Sequence, residues 1–182
     1  MKIVVTGGLG FIGSSFVKMA SSKMAHVVVI DKNTYAADRK RLKGWTYDFV
    51  QRDICDDVEF ACKDADYIVN FAAESHVDNS IESPRVFLKS NTDGVFNLLS
   101  LLRAKVYQKP LFVHISTDEV YGDVNEGEKT EDSVLSPSNP YSATKAAAEM
   151  LILAYARTFG VDYQIVRSTN NYGPRQYPEK LI

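Results

Sequence analysis

The chain has 182 residues, with 21 Lys and Arg against 23 Asp and Glu, and 45% of its residues are hydrophobic. This length suits one domain with a sizeable core. The net charge of -2 supplies no basic surface, so nucleic acid and anionic membranes are disfavoured as partners. No apolar run is long enough to span a bilayer and no signal peptide precedes the first one, which predicts a soluble, cytoplasmic protein.

The cysteines and histidines do not form a recognisable ligand pattern. Cys55 and Cys62 are seven positions apart, which matches neither a CxxC pair nor zinc-ligand spacing. His26, His76 and His114 fall on separate segments, where packing or hydrogen-bonding roles are expected. We therefore predict buried thiols in a reducing compartment, with no disulfide and no metal site.

Short β-rich runs recur along the chain, and their hydrophobicity is continuous rather than alternating. Such runs are typical of strands buried on both faces of a parallel sheet. Strands joined by crossover segments predict an α/β fold with a doubly wound parallel sheet. The runs are residues 3–6, 27–31, 47–50, 67–71, 111–116 and 163–167.

Two crossover segments are predicted to be long helices. Residues 84–105 carry a wide apolar stripe at helical spacing. Residues 140–159 follow Asn139 as the N-cap and end before Gly160, which suits a left-handed C-terminus. The second helix has more apolar surface than one face can bury, so we expect a homodimer contact through both helices. An Ala-rich helix packed under a loop is the alternative.

A glycine-rich segment lies between the first strand and the first helix. It reads Thr6-Gly7-Gly8-Leu9-Gly10-Phe11-Ile12-Gly13. Glycines at this spacing allow a tight turn and a close approach to a pyrophosphate, whose charge then lies at the helix N-terminus. A glycine-rich turn without a ligand is the alternative, but the position after the first strand favours a dinucleotide site.

Asp31 ends the second strand, eighteen positions after Gly13. A carboxylate there accepts hydrogen bonds from the adenosine ribose and repels a 2′-phosphate, which favours NAD over NADP, although Lys32 beside it leaves NADP open. Asp53 and Ile54 follow the third strand and are expected at the adenine edge; a solvated turn is the alternative for Asp53.

Tyr141 and Lys145 are four positions apart, so their side chains emerge on one helix face. At ~4 Å and an effective dielectric of ~20, an ammonium stabilises a phenolate by about 4 kcal/mol, or about three pKa units. We therefore predict that Lys145 lowers the pKa of Tyr141 and makes the phenol a base near neutral pH. A solvated helix face is the alternative.

Residues 116–119, Ser-Thr-Asp-Glu, end the fifth strand. The carboxyl ends of the strands form the ligand crevice of a doubly wound sheet, so these polar groups are expected at the reacting edge. A hydroxyl can hold a substrate oxygen, and two neighbouring carboxyl groups can act as acid and base when their environments differ. An acidic surface turn is the alternative.

Six segments together resemble the dTDP-glucose 4,6-dehydratases, which are extended short-chain dehydrogenase/reductases, and the resemblance covers essentially the whole chain. The segments are residues 6–13, 31–35, 71–78, 116–122, 141–145 and 170–174. Thr117-Asp118-Glu119 is the most discriminating part, because related epimerases usually carry small residues at the last two positions. Related decarboxylases tend to keep only the Glu. The sequence departs from the family at Asn79, where Arg is common, and at Arg52, where Gly is usual.

The resemblance implies that dTDP-glucose is converted to dTDP-4-keto-6-deoxyglucose. Tyr141 would take the C4 hydroxyl proton while hydride passes to NAD, with Thr117 holding the oxygen and Lys145 tuning the phenol. Glu119 would then remove the C5 proton while Asp118 protonates the departing C6 hydroxyl, before hydride returns to C6. A UDP-glucuronate decarboxylase or a hexose 4-epimerase, and an NAD-binding module without activity, remain alternatives, and the nucleotide base stays open.

The resemblance also implies the binding residues and the domain organisation. Residues 1–182 would form the Rossmann-type NAD-binding domain, a substrate-binding region would begin at about residues 170–182, and the C-terminal substrate domain would be missing. The implied cofactor-binding residues are Gly7, Gly10, Phe11, Ile12, Gly13, Asp31, Lys32, Asn33, Thr34, Asp53, Ile54, Phe71, Ala72, Ala73, Ser75, Ser90, Tyr141, Lys145 and Asn171. The implied substrate-binding residues are Ser75, Thr117, Asn170, Lys180 and Leu181.

Overall fold

A computed structural model describes residues 1–104, 110–124 and 126–177. The strands are β1 Lys2–Thr6, β2 His26–Ile30, β3 Asp48–Val50, β4 Tyr67–Asn70, β5 Leu111–Thr117 and β6 Tyr163–Ser168. They form one parallel sheet in the order β3-β2-β1-β4-β5-β6. This order, in which the chain winds outward from β1 in both directions, is that of a Rossmann fold, so the predicted fold class is confirmed.

Helices connect the strands and cover both faces of the sheet. They are α1 Phe11–Ser22, α2 Glu59–Cys62, α3 Val77–Glu82, α4 Pro84–Phe87, α5 Gly94–Ala104 and α6 Pro140–Phe159. Short 3-10 turns cover Arg39–Leu42 and Asp118–Tyr121. Within the described ranges, no helix combines the length and the apolar character needed to cross a membrane.

Two hydrophobic cores lie on opposite faces of the sheet. Val4 points into one core, where it joins Leu98 of α5 and Ile152 of α6. Val5, the next residue of β1, points into the other core with Val17 of α1. The central strands are therefore buried on both faces, as their continuous hydrophobicity predicts. The edge strands are different: every residue of β3 and of β6 is exposed or half-buried, so two-sided burial was wrong for both.

The ends of α6 are determined by local side-chain and backbone preferences. The Asn139 side chain accepts a hydrogen bond from the Ser142 amide, and the Ser142 hydroxyl returns one to the Asn139 backbone, which is a capping box. Gly160 follows the helix with φ 64°, a left-handed conformation that glycine adopts without strain. The predicted bounds of this helix are confirmed.

Residues 84–105 are not the single regular helix that the apolar stripe predicts. A π-helical segment, Leu88–Asp93, separates α4 from α5, and residue 105 lies outside the described residues. The wider π turn buries Ser90 and Asn91, which the regular pattern would not bring inward together. Hydrophobic periodicity predicts a regular helix. The polar side chains of the π-helical segment, in contrast, make hydrogen bonds to distant segments.

Candidate active site

The glycine-rich loop after β1 leaves no room for side chains. Gly7 has φ 66°, and a Cβ there would lie 2.6 Å from the Ala72 nitrogen. A Cβ on Gly13 would collide with the Gly7 carbonyl oxygen. Gly10 caps α1 without a side-chain hydrogen bond, so the first amides of the helix face the cleft uncovered. This loop is shaped for an anion such as a pyrophosphate.

Asp31 lies directly after β2 and is buried beside the loop. Its carboxylate accepts hydrogen bonds from the Leu9 amide at 3.0 Å and from the Asn33 amide at 2.8 Å. Burial raises the pKa of Asp31, and the two backbone hydrogen bonds and the charges of Lys32 and Arg41 oppose this rise. The amides orient the carboxylate at the cleft wall, where its remaining lone pairs suit ribose hydroxyls.

Lys32 does not present a free charge to the cleft. Its ammonium donates to the Ser90 hydroxyl at 2.9 Å and lies 3.1 Å from a Glu74 oxygen and 3.9 Å from an Asp53 oxygen. Ser90 reaches this cluster because it belongs to the π-helical segment. The carboxylates of Glu74 and Asp53 therefore balance the charge of Lys32, the charge that could have favoured the 2′-phosphate of NADP.

Two adjoining cavities form one cleft along the carboxyl edge of the sheet. Of the predicted residues, the first is lined by Gly7, Gly10, Asp31, Lys32, Thr34, Asp53, Ile54, Phe71, Ala72, Ala73 and Ser90. The second is lined by Gly7, Gly10, Phe11, Ile12, Gly13, Phe71, Ala73, Ser75, Thr117, Glu119, Tyr141, Lys145, Asn170 and Asn171. Asn33 and Asp118 stand beside lining residues but outside both linings, and Lys180 and Leu181 lie outside the described residues.

The end of β5 brings a hydroxyl and two carboxyl groups to the second cavity. Thr117 accepts a hydrogen bond from the Glu119 amide at 3.2 Å and donates to an Asp118 oxygen at 3.3 Å. The Asn139 side-chain amide donates a hydrogen bond to a Glu119 carboxylate oxygen at 3.1 Å. The two carboxyl groups thus have different partners, as separate acid and base roles require.

Tyr141 lies in the first turn of α6, and its ring packs edge-on against Phe87. Burial raises the pKa of Tyr141 to about 12; the charges of Glu119 and Asp118 add to this, and the Thr117 hydroxyl opposes it. The prediction that Lys145 lowers this pKa is therefore wrong in this structure. Without a stabilised phenolate, the group is a neutral hydrogen-bond donor at neutral pH.

Lys145 is buried, and two groups of β5 take its hydrogen bonds. Its Nζ donates to the Ile115 carbonyl oxygen at 2.6 Å and lies 3.2 Å from His114 Nε2. Burial lowers the pKa of Lys145 to about 8, and the charge of Glu149 opposes this. A four-residue spacing alone implies a solvated ammonium that faces only the phenol, whereas in the folded protein desolvation disfavours both charged forms.

Comparisons with known proteins identify the family of the chain. A family described as GDP-mannose 4,6 dehydratase matches residues 4–182. The chain belongs to this family. The relatives that the chain matches resemble it over its whole length. The chain, however, spans only about 60% of the length of these relatives.

Two sequence relatives and one solved structure are representative. The low-salt glycan biosynthesis protein Agl12 of Haloferax volcanii is 47% identical and covered over 60% of its length, with 100% of this chain. A dTDP-glucose 4,6-dehydratase of Streptomyces niveus is also 47% identical, with 100% of this chain and 57% of the relative covered. A dTDP-glucose 4,6-dehydratase of Streptomyces venezuelae, solved with NAD bound, is 42% identical with a TM-score of 0.94, covering 100% of this chain and 60% of that one.

The sequence reasoning missed a buried ion pair behind the site of this family member. Glu149 is fully buried one helical turn beyond Lys145, and its carboxylate lies 2.6 Å from Arg167 Nη2 on β6. The Ser116 hydroxyl donates to the same carboxylate at 2.5 Å, and the arginine also donates to the Tyr121 hydroxyl. The sequence contains a signal for Glu149, because it follows Tyr141 and Lys145 at the same spacing of four residues. Its partner Arg167 cannot be identified from the sequence.

The histidines take hydrogen-bonding roles, as predicted. His76 caps α3 by accepting from the Asn79 amide, His26 pairs with Asp48 at 2.7 Å, and His114 contacts Lys145. Within residues 1–104, 110–124 and 126–177, no group of three or more His, Cys, Asp or Glu side chains is placed to hold a metal ion.

Lys145→Met tests the electrostatics of the lysine. The folded pKa of Lys145, about 8, lies below its ordinary value of 10.5, so between these values the unfolded chain binds more protons. The lysine therefore makes the wild type gain stability as pH rises from about 8 to 10.5, and the variant lacks this gain. Urea unfolding of both proteins at pH 7.5, 9 and 10 measures the difference, and a difference that stays constant with pH contradicts the assignment.

Glu149→Gln tests the ion pair. The change leaves the half-buried Arg167 guanidinium without its counter-charge, and we expect a loss of about 3 kcal/mol in the free energy of unfolding. The matched change Glu82→Gln, on an exposed residue, should alter it by less than about 0.5 kcal/mol. Denaturant unfolding measures both, and equal effects would show that the pair does not contribute to stability.

Proposed function

We propose that this chain is part of an NAD-dependent nucleotide-sugar 4,6-dehydratase that converts dTDP-glucose to dTDP-4-keto-6-deoxyglucose. The observation that carries the proposal is the grouping of Thr117 and Glu119 with Tyr141 and Lys145 in one cleft, with Asp118 adjacent. An alcohol oxidation needs the tyrosine and lysine, whereas an elimination needs the extra acid and base. The dehydratase relatives support the same activity.

The cleft fits NAD on three structural grounds. The glycine loop has space only for backbone, which suits the pyrophosphate. The Asp31 carboxylate suits the adenosine ribose and opposes a 2′-phosphate. Gln176 Oε1, in the wall of the second cavity, is a buried oxygen for which the described residues offer no donor, so a ligand hydroxyl or amide can supply one.

The residues of the chain move protons at the sugar, while NAD, when bound, would supply a reversible hydride acceptor and a positive charge beside the phenol. Tyr141 takes the C4 hydroxyl proton, and Thr117 beside it holds that oxygen. The Lys145 ammonium, held by the Ile115 carbonyl at 2.6 Å, does not by itself lower the pKa of Tyr141, and in this proposal it acts together with the positive charge of the bound cofactor. The phenol therefore becomes basic only when positive charge gathers around it.

The elimination divides between the two carboxyl groups. Glu119 removes the C5 proton, which the C4 ketone has acidified, and returns it to C5 when C6 is reduced; Asn139 holds its carboxylate through a hydrogen bond of 3.1 Å. Asp118 gives a proton to the C6 oxygen, so the C6–O bond breaks and water leaves. The substrate-binding region begins at residues 170–182 in this proposal; Asn170 lines the second cavity, and residues 178–182 lie outside the described ones.

Glu119→Gln tests the proposed base. Glutamine keeps an oxygen for the Asn139 amide but cannot take a proton, so we expect kcat to fall by about 100-fold or more while NAD binding is unchanged. The assay mixes the chain with NAD and dTDP-glucose and follows the 4-keto-6-deoxy product; Glu126→Gln, on an exposed residue, is the matched control.

Other outcomes separate the alternatives. Full activity in Glu119→Gln overturns the assigned base. A C4 epimer or carbon dioxide from UDP sugars identifies an epimerase or a decarboxylase, and NAD binding without any product identifies a binding module. Equal turnover of dTDP-glucose and UDP-glucose would remove the base preference from the proposal.

We also infer that the protein is a homodimer through α5 and α6, with the π-helical segment and α4 adjoining. Phe96 on α5 and Phe159 on α6 are partly exposed, and both rings contact Tyr155 between them, so they form one aromatic surface. A contiguous apolar surface of this kind is typical of a protein interface. A cytoplasmic location is proposed with it, supported by the thiols of Cys55 and Cys62, which form no disulfide; Cys62 is buried as predicted, whereas Cys55 is only half-buried.

Phe96→Glu tests the dimer. A carboxylate in an apolar interface has no partner to compensate its desolvation, so the variant should be monomeric at micromolar concentrations at which the wild type is dimeric. Sedimentation velocity measures this, with Val134→Glu, which adds the same charge at an 84% exposed loop residue, as the control. A monomeric wild type, or a dimeric Phe96→Glu, rejects this interface.

A further inference from the structure

A row of four buried polar side chains crosses the sheet behind the cleft. Thr6 Oγ1 lies 2.5 Å from Asn70 Oδ1, Asn70 Nδ2 lies 3.0 Å from His114 Nδ1, and His114 Nε2 lies 3.2 Å from Lys145 Nζ. None of the four is more than 2% exposed. The strand register produces the row, because Thr6 pairs with Asn70 across β1 and β4, and Asn70 pairs with His114 across β4 and β5.

The hydrogen bonds in the row have a direction that depends on the charge of Lys145. In the arrangement above, Thr6 donates to Asn70 and Asn70 donates to His114 Nδ1, so the ring proton lies on Nε2. Nε2–H can donate only to an uncharged amine, and Lys145 then donates to the Ile115 carbonyl. With an uncharged lysine, each side chain of the row has a partner.

A charged Lys145 requires the opposite direction. An ammonium only donates, so His114 Nε2 must accept and the ring proton must lie on Nδ1. The Asn70 amide then turns by half a rotation, accepts from Nδ1 through Oδ1 and donates through Nδ2 to Thr6. The change takes up one proton in total, at Lys145 Nζ, while the imidazole stays neutral and its proton moves from Nε2 to Nδ1.

We propose that His114 and Asn70 are positioning residues for Lys145, and that the row reverses its hydrogen bonds with the charge of the lysine. The proposal rests on the proposed function in giving Lys145 a role beside Tyr141. Its value is that both charge states of a buried lysine keep their partners, since an unpaired buried group is costly. The lysine can therefore change charge without moving away from the phenol.

Two observations on the surrounding groups support the row. Burial and the charge of Lys145 hold the pKa of His114 well below its usual range, so the ring remains a neutral acceptor. On α6, the charged group that acts on Lys145 is Glu149, one turn after the lysine. Tyr141 lies one turn before the lysine on the same helix. On the strand side, the ring of Phe112 stacks near His114 and carries no charge.

Nitrogen NMR of the chain labelled with 15N-histidine tests the reversal without cofactor or substrate. Long-range 1H–15N correlations separate the two neutral tautomers and the cation, and the chain has only three histidines to distinguish. We expect His114 to be neutral with the proton on Nδ1 at pH 6 and on Nε2 at pH 10. A cationic His114 at pH 6, or one tautomer throughout this range, overturns the proposal.

Two variants sharpen the test. Lys145→Met removes the donor, so His114 should carry its proton on Nε2 at both pH values. Asn70→Asp offers only acceptor oxygens in the same shape, so the proton should stay on Nδ1 at both. A wild-type pH response that survives unchanged in either folded variant overturns the proposal, and the wild-type series decides it if a variant does not fold.

The positioning role has a separate readout in the dehydratase assay. His114→Leu leaves Lys145 with the Ile115 carbonyl alone, and we expect kcat to fall by about 10-fold or more with KM unchanged. His114→Gln retains an amide that can accept or donate at the position of Nε2, and should recover most of that loss. Equal kcat and pH profiles in both variants overturn the role. A wild type that binds NAD but forms no product shows that this chain alone has no dehydratase turnover, and the NMR result still decides the row.

Discussion

The parallel register of the strands is the constraint on which the rest of the structure depends. Because every strand of the sheet runs the same way, the carboxyl ends of all six meet at one edge, and each crossover helix starts there. The glycine loop follows β1, Asp31 follows β2 and Thr117 ends β5, so residues far apart in the chain become neighbours. The same register aligns Thr6, Asn70 and His114 behind them.

Burial then decides the electrostatics of that edge. Tyr141 and Lys145 are each pushed toward their neutral forms, since the low dielectric of the interior disfavours a phenolate and an ammonium alike. The carboxyl groups of Asp118 and Glu119 push the tyrosine further in the same direction. In the proposed reaction this arrangement makes proton removal dependent on positive charge brought by the cofactor, which restricts it to the loaded site.

A rigid framework of hydrogen bonds holds these groups in place. The Glu149–Arg167 pair connects α6 to β6. The hydrogen bond from Ser116 to Glu149 also connects α6 to the end of β5, next to Thr117. Asn91 performs a similar function on the other side, where its side chain bonds both the Glu74 backbone and the Thr144 hydroxyl. Asn91 is a buried residue of the π-helical segment. The site is thus fixed by polar contacts between elements rather than by the loops alone.

The strands, the caps of α6, the glycine loop and the candidate residues that line the cleft could all be predicted from the amino-acid sequence. Each of these follows from hydrophobic periodicity, from residues a few positions apart, or from motifs shared with a family. The π-helical segment, the partners of Lys145, the Arg167 partner of Glu149 and the high pKa of Tyr141 could not be predicted in this way. Desolvation and charge interactions depend on which distant side chains approach one another, and that approach is set by strand register and packing.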